Sequence, residues 1–154
     1  MQIETVRLPN NKKTSREIVR HPGAVAVLAV TSENKIILVK QYRKPCDEVL
    51  IEIPAGKLEK GEEPLECAKR ELIEETGYTA GTWEFVHSFY TSPGFADEKI
   101  YLYMARDLTK GTRQLDPDEF LDLIEADREE VMQMIEKDMI HDAKTLIALY
   151  RWLK

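Results

Sequence analysis

Cysteine is scarce in this chain of 154 residues: there are two, Cys46 and Cys67, too few for a disulfide framework or a cysteine zinc site. Long apolar runs are missing as well. The longest covers residues 24–30, far short of the ~20 residues a bilayer-spanning helix needs. The opening Met1-Gln2-Ile3-Glu4 lacks the basic and then apolar layout of a secretory leader. A reducing cytoplasm, with no membrane association, is the expected setting. Net positive charge is also absent. At −6 the chain does not carry the basic surface that non-specific nucleic-acid binding requires. Repeats, low-complexity tracts and long linkers are lacking too, so the expectation is a single domain over residues 1–154.

What is present is the composition of a globular protein, 43% hydrophobic and 32% charged, rather than of a disordered one. The charge is uneven. Residues 1–44 hold nine Lys/Arg against three Glu, and residues 114–142 hold eleven Asp/Glu against two Lys/Arg. An acidic region of this kind is either a solvated face or a place where a divalent cation sits between protein and an anionic substrate.

The first twenty residues read as polar and basic, with no element assigned. Residues 24–30, valine-rich and too short for a typical helix, predict a strand. Glu33-Asn34 predicts a hairpin turn, residues 35–42 its partner strand, 49–54 a third strand and 56–61 a loop. Pro64 suits a first helical turn and Gly77 the position just past a helix end; Leu65, Ala68 and Leu72 fall on one stripe between them. Strands are predicted over 83–90 and 99–106, with turn-rich residues 91–97 between, and again over 119–125. Asp127 with Glu130 three residues on is a capping-box pattern opening a helix to about residue 137. Asp142 opens another to about 152. Strands outnumber helices and most neighbours look antiparallel, which predicts an α+β fold with helices packed on a mixed, curved sheet.

Chemistry concentrates in the first helix. Glu71 and Glu75 stand one turn apart on the same face, with no basic residue three or four positions away. Such like charges repel by roughly 0.2–0.5 kcal/mol, and late in a helix the dipole disfavours them further. Glu74, to one side, has Arg70 four residues before it. Either the face is simply solvated, or the counter-charge is a metal. All-oxygen ligation then suits Mg²⁺ or Mn²⁺, which need few carboxylates and keep waters for substrate phosphates.

The whole segment decides between these. Gly56, Glu62, Arg70, Glu71, Leu72, Glu74, Glu75 and Gly77 have the identities and spacing of the Nudix box, residues 56–78, with Tyr78 a departure at a site that is usually aliphatic. Seven fixed identities at ordinary frequencies match by chance in about one window in 10⁸. The chain therefore resembles the Nudix hydrolases, and the resemblance implies their fold, a mixed curved β-sheet sandwiched between α-helices. It implies hydrolysis of a nucleoside diphosphate linked to a further group. Glu71 and Glu75 are then principal metal ligands, the Ala55 carbonyl one more, and Glu74 an added ligand or its neighbour. Arg70 and Glu62 organise the loop-helix-loop.

Flanking stretches resemble the ADP-ribose pyrophosphatase subfamily of bacillus type: Arg20-His-Pro-Gly-Ala-Val-Ala-Val27, Lys40-Gln-Tyr-Arg-Lys-Pro45, Glu52-Ile-Pro-Ala-Gly56, Ser92-Pro-Gly-Phe-Ala-Asp-Glu98 and Asp142-Ala-Lys-Thr145. Pro93 lies sixteen residues after Gly77, about where that subfamily carries a marker proline. This resemblance implies Mg²⁺-dependent hydrolysis (Mn²⁺ as the substitute) of ADP-ribose to AMP and ribose 5-phosphate. It makes Arg43, Glu52 and Glu98 substrate contacts and brings Gly94 and Phe95 to the substrate. The base or a further metal ligand comes from the acidic loop 115–121, with Glu119 aligning best and Asp118 and Asp116 as rivals. His21, His87 and His141 stand in no recognisable catalytic context. A homodimer with swapped N-terminal strands is implied too, although residues 1–20 hold no aromatic ring to lend to a partner's adenine site; either the swap is shortened, or another ring such as Tyr42 or Phe95 stacks there. Two alternatives stand beside this reading. One is a Nudix hydrolase for another nucleotide sugar or dinucleotide. The other is a non-catalytic domain that senses ADP-ribose, which degraded box glutamates would favour and the intact ones do not.

Overall fold

The computed structural model describes residues 1–115 and 121–154. Its elements run β1 (Gln2–Arg7), β2 (Lys13–Ile18), β3 (Ala24–Ala29), β4 (Ile36–Arg43), β5 (Glu48–Glu52), β6 (Ala55–Lys57), α1 (Pro64–Thr76), β7 (Tyr78–Tyr90), β8 (Lys99–Lys110), β9 (Leu121–Ala126), α2 (Arg128–Glu136) and α3 (Ala143–Leu153). The strands form a β1–β2 hairpin, a mixed sheet ordered β6-β3-β8-β7 and a second sheet ordered β5-β4-β9. Among the described residues β3 and β8 pair in parallel, and the other paired strands are antiparallel.

The strand β3 shows why the layers form. Every residue of it is buried, so it must be covered on both faces. With a side-chain period of two, Ala24, Ala26 and Leu28 enter one core with Val131, Ile140, Ala148, Leu149 and Trp152 around α2 and α3. Val25, Val27 and Ala29 enter another with Cys67, Ala68 and Leu72 of α1. The sheet is thus sandwiched between helices, as the α+β expectation has it, and the stripe read on α1 is the face that docks.

The helix punctuation holds. Pro64 opens α1, and Gly77 closes it at φ 78°, its N–H donating to the Ile73 carbonyl. At α2 the capping box is reciprocal: Glu130 N–H donates to Asp127 Oδ1 at 2.9 Å and Asp127 N–H to Glu130 Oε2 at 2.8 Å. Asp142 caps α3 by accepting the Thr145 N–H at 3.0 Å.

Three readings need correction. Residues 1–20 are not featureless but contain the β1–β2 hairpin. Their sequence hides it because much of the hairpin faces solvent, leaving no apolar alternation to read. Residues 56–57 of the predicted loop lie in β6, which pairs with Ala24–Ala26 of β3, a partnership set by tertiary contact rather than local pattern. The strand predicted from 83 begins at Tyr78 and runs thirteen residues; Gly81, weak in strand propensity, obscures its start. Of the strand predicted over 119–125, residues 121–125 fall in β9, which runs one residue further to Ala126, and 119–120 lie outside the described residues.

Candidate active site

Packing of α1 on β3 brings the helix against β6, and this contact builds the site. Glu71 and Glu75 are 8% and 3% exposed, so the face is not the solvated one their charge allows. A Cβ on Gly56 would lie 1.8 Å from the Glu71 carboxyl carbon; only glycine lets the strand cross there. One residue earlier, the Ala55 N–H donates to Glu75 Oε2 at 3.0 Å. The backbone of β6 therefore lies along both carboxylates, with Ala55 beside Glu75.

Arg70 holds the other side. Its Nε and Nη2 donate to the two oxygens of Glu62 at 2.9 and 3.0 Å, and its Nη1 donates to Glu71 Oε1 at 2.8 Å and Glu74 Oε2 at 2.9 Å. Nη2 also reaches the Lys57 carbonyl at 3.2 Å. Counting only residues three or four apart thus missed a partner, since the adjacent guanidinium curls back onto Glu71. The Arg70 fork holds the Glu62 carboxyl down at about 2, with help from the Glu59 N–H, and the carboxylates hold Arg70 firmly protonated. Beneath it, burial pushes the Cys67 thiol up to about 12.

A second charged cluster lies at the ends of β4 and β5. Arg43 Nε and Nη2 each donate at 2.7 Å to one oxygen of Glu52, a bidentate pair. Lys144 Nζ, near the start of α3, donates to Glu52 Oε2 at 2.5 Å and to Asp142 Oδ1 at 2.9 Å. Thr145 Oγ1 donates to Asp142 Oδ2 at 2.5 Å and accepts the Ile53 N–H at 2.9 Å. Glu52 is 1% exposed, and its carboxylate accepts from two cations. The Arg43 side chain keeps 37% exposure, and the field of Glu75 helps keep it protonated, after that of Glu52 itself.

Glu98, Gly94 and Phe95 sit elsewhere. Thr91 Oγ1 donates to Glu98 Oε2 at 2.7 Å, and His21 Nε2 lies 3.4 Å from Glu98 Oε1. The turn carrying Gly94 and Phe95 is stitched to the chain after β2, with Val19 N–H donating to the Phe95 carbonyl at 2.8 Å and Arg20 Nη1 to Asp97 Oδ2 at 2.9 Å. Phe95 is exposed, and with Arg16, Arg20 and Pro93 it lines a groove of about 260 Å³. Tyr42, the other ring considered for stacking, donates to Asp47 Oδ1 at 2.5 Å. Glu119, Asp118 and Asp116 lie outside the described residues.

Sequence reasoning gave no role to Lys144, although it lies in a stretch that carried the resemblance, nor to Arg113. Arg113 donates at 2.6 Å to the Glu75 carbonyl and at 2.6 Å to the Leu121 carbonyl. It places a cation at the C-terminus of α1, where the helix dipole favours one. No local motif announces either contact.

The donor set fits a hard divalent ion. Among the described residues no three His, Cys, Asp or Glu side chains converge into a finished cage. Mg²⁺ does not need one, since it is held by one or two carboxylates and completes its shell with waters and substrate phosphates. Buried Glu71 and Glu75, pressed on glycine and backbone, offer that partial shell. Among the described residues no helix is long and apolar enough to cross a membrane.

A box glycine lies under a box glutamate, and an arginine gathers that glutamate and two more box acids. The NUDIX domain matches residues 20–149, and the chain belongs to the Nudix family. It is 56% identical over 151 residues to the methanol dehydrogenase activator of Bacillus methanolicus, covering 97% of this chain and 82% of that one. It is 54% identical over 151 residues, with the same coverage, to the ADP-ribose pyrophosphatase of Bacillus subtilis. A crystal structure of an ADP compounds hydrolase superposes with a TM-score of 0.83 at 23% identity, over 96% of this chain and 80% of that one, which shows the shared fold.

Proposed function

We propose that the protein hydrolyses the diphosphate of ADP-ribose to AMP and ribose 5-phosphate. The observation that carries the chemistry is the pair of buried α1 carboxylates, Glu71 and Glu75, held against the β6 backbone at Gly56 and Ala55. The choice of ADP-ribose is supported by the 54% identical relative that bears that name. Mg²⁺, or Mn²⁺ in its stead, would be held by Glu71 and Glu75, the Ala55 carbonyl and, on one side, Glu74; when bound it neutralises the diphosphate and acidifies a water.

The chain's own residues do the rest. Arg70 fixes the rotamers of Glu62, Glu71 and Glu74, so the acids do not have to be ordered when substrate arrives. Arg43, held by Glu52, offers its outer N–H groups to a phosphate. Glu98, Gly94 and Phe95 form the side toward the nucleoside, with Phe95 available for stacking. Glu119 is the proposed base, or an added metal ligand, on the strength of the resemblance alone. A homodimer is proposed on the same ground, and analytical ultracentrifugation tests it.

The decisive experiment is a turnover panel of ADP-ribose, ADP-glucose, GDP-mannose, Ap4A, NADH and 8-oxo-dGTP, with EDTA as control. ADP-ribose should be among the best two and EDTA should abolish turnover. A poor showing for ADP-ribose would remove the substrate assignment, and absence of all turnover would favour a sensor. The 56% identical relative supports a second reading, activation of methanol dehydrogenase. Methanol dehydrogenase turnover with and without the protein tests it.

A further inference from the structure

We infer that Lys144 is a positioning residue for substrate binding: it shares the Glu52 carboxylate so that Arg43 keeps its positive charge available to the phosphates. The inference rests on the reading above in which Arg43 faces the diphosphate. Glu52 is buried, and its Oε2 accepts from both Arg43 Nη2 at 2.7 Å and Lys144 Nζ at 2.5 Å. A lone buried carboxylate paired bidentately with Arg43 would cancel most of the guanidinium's field at the site. With Lys144 on the same carboxylate and Asp142 on Lys144, two cations balance two carboxylates; without Lys144 the cluster would be net negative, and Arg43 is the more exposed of the two cations, 37% against 11% for Lys144.

The geometry separates the roles. Lys144 is too enclosed to meet a ligand, and its other partner, Asp142, is fixed by Thr145. Thr145 in turn accepts the N–H of Ile53, next in the chain to Glu52. This ties the α3 cap to the strand that leads into Ala55 and Gly56. Arg43 points its Nε–Nη2 edge at Glu52, which leaves Nη1 out of that pair on a side chain that is 37% exposed. The effect of Lys144 on substrate must therefore pass through Glu52 and Arg43.

The test is steady-state kinetics on Lys144→Met, Lys144→Gln and Lys144→Arg, alone and with Arg43→Gln, together with thermal melts and calorimetric titration of ADP in Ca²⁺. Lys144→Met and Lys144→Gln should raise KM for ADP-ribose about tenfold while kcat stays within about twofold, and weaken ADP binding to match. Lys144→Arg should restore most of the affinity. In the Arg43→Gln background Lys144→Met should add nothing. A fall in melting temperature with KM and ADP affinity unchanged would make Lys144 a structural tie only and overturn the inference. So would additive effects of the two substitutions, or no ADP binding by the wild type. If the wild type bound ADP but did not turn over ADP-ribose, the substrate reading would fail, and the ADP titrations alone would decide the role of Lys144.

Discussion

Two charged clusters flank the proposed diphosphate position, and they are built in opposite senses. In the box, one guanidinium, Arg70, gathers three carboxylates. At the ends of β4 and β5, one carboxylate, Glu52, gathers two cations. The first leaves an excess of negative charge, suited to a cation. The second is balanced by Asp142 on Lys144 and leaves its guanidinium, Arg43, the more exposed cation, suited to a phosphate. A single substrate with its metal needs both, and the protein supplies each by gathering groups of one sign around a single group of the other. The central group is the one that cannot be removed cheaply, because it holds like charges together.

The largest effect should come from the acids themselves. Glu71→Gln or Glu75→Gln is expected to lower kcat at least about a hundredfold in steady-state assays. The melting temperature should fall only slightly, since the weakened Arg70–Glu71 pair or Ala55–Glu75 bond is offset by relief of the repulsion between two neighbouring like charges. The two centres can then be compared directly. Glu52→Gln should cost about 3 kcal/mol in urea unfolding, because Arg43 loses its bidentate partner and the enclosed Lys144 loses one of its two anions. Glu62→Gln, which removes only an outer partner of Arg70, should cost about 1 kcal/mol. Equal losses would break the contrast between central and outer charges.

A smaller effect is expected at the glycine of the box. Gly56→Ala would put a methyl 1.8 Å from the Glu71 carboxyl carbon, so the carboxylate must move, and kcat should fall about tenfold. The acid limb of stability sharpens the comparison further. Glu62 has its carboxyl lowered from an ordinary 4.5 to about 2 by Arg70. A depressed folded value means the stabilisation is full above about pH 4.5 and is lost as pH falls toward 2. Urea midpoints between pH 5 and 2 should show that loss, and Glu62→Gln should flatten it. Finally, each cluster carries its own thiol. Cys46 N–H donates to the Arg43 carbonyl and the residue is exposed. Cys67 is buried, takes a hydrogen bond from Arg70 Nη2 at 3.3 Å and is pushed up to about 12. A thiol reagent at pH 8 should label Cys46 in the native protein and Cys67 only after denaturation.

The two clusters also differ in how far they could be read from sequence. Arg70 and its carboxylate partners span residues 62–74 on one loop and helix, where spacing alone fixes geometry. Fixed spacing of this kind is what makes a motif, and the box acids, the helix ends and Gly56 were all legible. Glu52 and Lys144 are 92 residues apart and meet only because α3 packs on β5. The stretch containing Lys144 was visible as a resemblance without a role. The same limit explains β6, which is a strand only by virtue of β3, and Arg113, which joins α1 to β9. Glu119 was named from the resemblance and lies outside the described residues.

The parallel pairing of β3 with β8, which places Ala24 opposite Ile100 and Ala29 opposite Ala105, has a consequence for how the chain is made. During synthesis β3 leaves the ribosome long before its central partner is translated. At about 5–20 residues per second the wait is on the order of 4–15 s. In that interval only β6 is at hand to cover one edge of β3, and a strand apolar on both faces stays open to other chains. The strand that organises the finished protein is the part of the nascent one most in need of shelter. Ribosome-bound chains arrested before β8 should accordingly recruit chaperones that chains arrested beyond it release.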